Sequence, residues 1–122
     1  MQESTELIEQ VNNLIGVIDE AFIQMQKQVE GERYQETILL LENAMKGVES
    51  LQKVVQAMAA KGLESNFNES TQTFMTEVGN LLEHYNQNQT DQMSAQMNQG
   101  VIPSFNQWKT EVEKVMEPYG KE

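Results

Sequence analysis

His84 is the single histidine of this 122-residue chain, and there is no cysteine. The residues that most often carry nucleophilic, proton-shuttling or redox chemistry are therefore almost missing. Carboxylates are plentiful, but seventeen of the nineteen acids are Glu and Asp stands only at positions 19 and 91. Helical bundles can build di-iron centres from inward Glu residues and Glu-x-x-His pairs. The residue three before His84 is Leu81, no second histidine completes a pair, and the predicted core positions carry hardly a carboxylate. A buried di-metal centre is excluded. His84 falls one turn from the end of a predicted helix, beside Glu83, where an imidazolium gains from the helix dipole. With no hydroxyl–imidazole–carboxylate constellation in view, nucleophilic catalysis has no centre.

Other patterns dissolve on inspection. Asn86-x-Asn88-x-Thr90 has the opening of a calcium loop, yet loop position six is Asp91 and position twelve is Met97, where glycine and a bidentate Glu are required. Asn68-Glu69-Ser70 and Asn88-Gln89-Thr90 match the glycosylation triplet by chance, since no secretory leader is read at the N-terminus. No glycine-rich phosphate loop is present. Met25, Met45, Met58, Met93, Met97 and Met116 fall on or beside the apolar stripes, so they read as core filling rather than as an adaptable binding groove. Trp108 reads as a core aromatic, level with Leu14, Leu51 and Phe74.

The charge balance narrows the partners. Nineteen acidic against eight basic residues leave a net charge of −11, which keeps a small protein dispersed and repels phosphate backbones and anionic lipid headgroups. Nucleic-acid and membrane roles are disfavoured, and a basic protein partner is the sharper alternative to simple solubility. The absence of cysteine fits a reducing compartment, and the expected location is cytoplasmic. The longest apolar run, residues 38–41, is far short of the ~20 residues that span a bilayer.

What must position any site is a set of long helices. Leu7, Val11, Leu14, Ile18, Phe22, Met25 and Val29 step by three or four, and so do Tyr34, Ile38, Leu41, Met45, Val48, Leu51, Val55 and Met58. Phe67, Thr71, Phe74, Val78, Leu81 and Tyr85 form a third stripe. Met93, Met97, Val101, Phe105, Trp108, Val112, Val115 and Met116 form a fourth. Only a helix gathers such spacings on one face. The chain reads as one all-α domain, 1–122, with helices at about 5–30, 32–61, 66–87 and 91–117. Ser4 or Thr5, Ser65 or Asn66, and Thr90 or Asp91 are the expected caps. Gly31 and Gly62 are the expected left-handed closers, with Lys61 at the second helix's negative end and Pro118 and Gly120 stopping the last helix. Gly47 inside the second helix is explained by close packing or by plain tolerance.

Pro103 is the local conflict, because inside a helix it removes a hydrogen bond and meets the carbonyl of Gln99. A kink in the last helix is expected there. Short connections between matched helices predict an antiparallel up-down-up-down four-helix bundle, with a hairpin completed by dimerisation as the alternative. An offset of 53 aligns Leu14 with Phe67, Met25 with Val78 and Val55 with Trp108, an echo that two copies of one helical hairpin would explain.

Two segments carry a resemblance: Gly31-Glu32-Arg33-Tyr34-Gln35-Glu36-Thr37 at the first hairpin turn, and Val101-Ile102-Pro103 followed by Phe105 and Trp108. With them the chain resembles a group of small, acidic, all-helical bacterial proteins of uncharacterised function, chiefly from Gram-positive bacteria. In size, charge and helicity it is also loosely similar to flagellar-export chaperones. The resemblance implies a helical bundle that holds another protein and supplies no functional residues to carry over. The residues themselves add one feature: Leu39, Leu40 and Val54 widen the apolar arc of the second helix beyond the main stripe. They are the candidate protein interface, for a partner or a second copy in a homodimer, unless that helix is simply the most enclosed. The functional expectation is a non-enzymatic, cofactor-free, protein-binding adaptor or export-chaperone-like bundle. A small-molecule-binding or enzymatic bundle whose site forms only in the fold is the alternative. A helical protein exported without a leader is a third reading, against which the lack of a Trp-x-Gly turn counts.

Overall fold

A computed structural model describes residues 2–59 and 66–120, with side chains over 6–58 and 66–117. Three long helices come first: α1 (Gln2–Glu30), α2 (Tyr34–Ala59) and α3 (Phe67–Asn86). After a turn at 87–89 comes a fourth arm, itself continuous. It consists of a 3₁₀ turn (Thr90–Gln92), the single turn α4 (Met93–Gln96), a π-helical turn (Met97–Val101) and α5 (Ile102–Gly120). No strand occurs among the described residues. α1 packs on α2 and α5, and α3 packs on α5 and α2, which is the up-down-up-down four-helix bundle the stripes predict. Cross-helix bonds show the antiparallel sense directly. Gln26 Nε2 donates to Asn98 Oδ1 at 3.0 Å, and Lys109 Nζ meets Asp19 Oδ1 at 2.9 Å, so numbering falls on one helix as it rises on the other.

All four stripes converge on one core. Trp108 is fully buried, its ring 5.6 Å from Phe74 and 6.2 Å from both Phe67 and Phe105, with Phe22 closing the cluster 4.6 Å from Phe105. Its indole Nε1–H donates to Thr71 Oγ1 at 2.9 Å, so the polar edge of the largest core side chain is satisfied inside the bundle. Met25, Met58, Met93, Met97 and Met116 are buried with it and Met45 packs against it, as the core-filling reading expects. Gly47 is a close-approach residue: a Cβ there would stand 3.3 Å from Ile18 Cδ1, which lets α1 settle onto α2.

The ends of the helices depart from expectation. α1 already includes Ser4 and Thr5, so neither caps it. Its C-terminus closes one residue later than Gly31 suggests. Glu32 takes the left-handed conformation (φ 61°), while its N–H bonds Val29 O and the N–H of Arg33 bonds Gln28 O. That pair of bonds is the Schellman closure, with Glu32 rather than glycine at C′. The same closure ends α3, where Asn88 (φ 59°) takes C′ and Gln89 N–H reaches His84 O. Asn tolerates this geometry better than Glu does. Neither Asn66 nor Gln89, which precede α3 and the fourth arm, makes a side-chain cap bond, and Thr90 and Asp91 lie within the 3₁₀ turn. Lys61, Gly62 and Ser65 lie outside the described residues. The last helix runs on through Pro118 to Gly120 instead of stopping there.

At Pro103 the irregularity is the π-helical turn just before it. The N–H of Ile102 bonds Met97 O, five residues back, and α5 resumes with Pro103 in its first turn, where no N–H is needed. An inserted residue, rather than a broken helix, resolves the conflict.

Candidate functional site

Two surfaces compete for the role. On α2, Leu39 is 57% exposed, whereas Leu40 and Val54 are half-buried and pack against the core. The wide apolar arc of α2 therefore divides: two of its three extra residues serve the bundle and one faces outward. Val17 and Ile23 of α1 are also exposed, at 63% and 48%.

The second surface is the seam between α3 and the fourth arm, which is polar along its length. At its centre lies a cleft of about 380 Å³ lined by Glu77 and His84 from α3 and by Asp91, Gln96, Gln99 and Gly100 from the arm. The π-helical turn forms its floor. Glu77 is half-buried, and Gln96 Nε2 donates both to its carboxylate Oε2 (2.9 Å) and to its backbone O (3.1 Å). The carboxylate lies where a side chain at position 100 would begin: a Cβ on Gly100 would collide with Oε2 and stand 2.8 Å from Gln96 Nε2. His84 is half-buried, and its Nδ1 lies 2.9 Å from Gln89 Oε1, to which it donates. The seam continues as a groove of about 370 Å³ past Asn80, Glu83 and Gln87, sharing His84 and Gln96 with the cleft.

Glu111 of α5 is a buried carboxylate outside the predicted core positions. Its side chain is only 1% exposed. Oε2 accepts the Asn66 N–H at 3.0 Å, and Oε1 accepts Lys114 Nζ (3.1 Å) and Gln107 Nε2 (3.2 Å). Burial pushes its carboxyl up, but the Asn66 N–H, the Lys114 ammonium and the Gln107 amide together outweigh burial, and the net shift is downward. Glu111 thus acts as a cap supplied by another helix, placing negative charge at the N-terminus of α3. Its position three after Trp108 and four before Val115 on the core stripe is the sequence signal that reveals it. The Glu77–Gly100 contact has no comparable signal.

Among the described residues no group of His, Cys, Asp and Glu side chains could hold a metal ion, and no helix is long and apolar enough to cross a membrane. Fold and surfaces define a closed helical bundle whose distinctive chemistry is a polar cleft at a helix irregularity. The chain belongs to the DUF8042 family, described as a domain of unknown function, whose pattern matches residues 6–111. No curated protein and no solved structure matches it.

Proposed function

We propose that this protein is a non-enzymatic, cytoplasmic, protein-binding bundle, an adaptor or export-chaperone-like holder of another chain. The observation that carries the reading is Leu39, a large apolar side chain 57% exposed on α2 beside residues that complete the core. The chain as a whole carries a net charge of −11, which favours a partner with a basic rim and an apolar anchor. The resemblance to small acidic bacterial helical proteins, and the looser similarity in size, charge and helicity to flagellar-export chaperones, is of a piece with this role. A second copy of the chain is the other occupant the same surface would accept.

Because Leu40 and Val54 pack against the core, the clean test is Leu39→Glu alone. A substitution at so exposed a site leaves stability within about ±0.5 kcal/mol. Thermal melting, sizing chromatography and cross-linked capture from the source cell are compared with the native chain. A variant that melts normally but loses its partner, or its self-association, supports the reading. One that melts normally and keeps both removes its basis. The cleft beside α3 favours a second, small-ligand reading on separate grounds.

A further inference from the structure

We draw no further inference here: the strongest candidate, the outward face of α1 where Val17 and Ile23 are exposed and a Cβ on Gly16 would meet open space, is an unpartnered apolar surface, and nothing in the structure shows what covers it.

Discussion

Replacing Glu111 separates what its charge contributes from what its shape contributes. Three donors converge on this buried carboxylate, and they differ in value. The Asn66 N–H at the start of α3 is part-buried, and leaving such a donor unmet costs about 1–3 kcal/mol. Negative charge at a helix N-terminus adds about 0.3–1 kcal/mol. Lys114 is 55% exposed, so water takes over most of its role and that pair is worth at most about 1 kcal/mol. Desolvating the carboxylate offsets part of the total. Glu111→Ala should therefore cost about 2–3 kcal/mol. Glu111→Gln keeps an acceptor for Asn66 and should cost about 1 kcal/mol. At this chain length 1 kcal/mol lowers the melting temperature by ~4 °C, so calorimetry resolves both. The pH dependence carries the stronger test. The folded-state pKa lies below the unfolded one, so the stabilisation is fully present above the unfolded value and is lost as pH falls through the folded value. The gap between native and Glu111→Gln chains should be constant near neutrality and close in acid, below the ordinary carboxylate range. A gap that is absent at neutral pH, or that persists undiminished into acid, would show that Glu111 does not cap α3 as a charge.

Two further outcomes follow from the core and the first turn. Trp108→Ala should cost about 3–5 kcal/mol. Thr71→Val, which strands the buried indole N–H without removing volume, should cost about 1–3 kcal/mol in urea denaturation; a neutral Thr71→Val would mean that the bond carries no weight. Glu32→Gly should stabilise the protein by about 1 kcal/mol, because a non-glycine residue at φ 61° gives up that much to sterics. A drop in melting temperature would place the first turn's strain elsewhere.

The bundle was legible because burial repeats: Val11 to Val29, Leu41 to Met58, Phe67 to Leu81 and Met93 to Met116 recur often enough that single errors average out. Trp108 belongs to that signal, and the structure buries it against Phe74 as the stripe predicts. Its bond to Thr71 was less legible, since Thr71 reads simply as a stripe position. Helix ends depend on one residue rather than on a period, which is why the left-handed closure sits on Glu32 when Gly31 invites it. The cleft was least legible. Glu77 and Gly100 are ordinary surface letters until α3 and the arm are laid side by side.

The π-helical turn was legible in a way that Pro103 obscures. Met93, Met97, Val101 and Phe105 are separated by four residues three times in succession, whereas Phe105, Trp108, Val112 and Val115 alternate three and four. Three turns of α-helix take about 10.8 residues, not twelve, and at about 100° per residue the first four positions would drift by roughly 120° around a regular helix. Met93 and Phe105 could not then face one core. Yet Met93, Met97, Val101 and Phe105 are all at most 1% exposed. One wider turn absorbs the surplus residue, and Met97–Val101 is where it lies. Proline next to the turn and glycine within it follow from this: Pro103 needs no N–H partner in the first turn of α5, and Gly100 leaves room for the Glu77 carboxylate. The apolar spacing sets the bulge and the bulge sets the floor of the cleft. Any ligand chemistry there is therefore tied to the register of the core behind it.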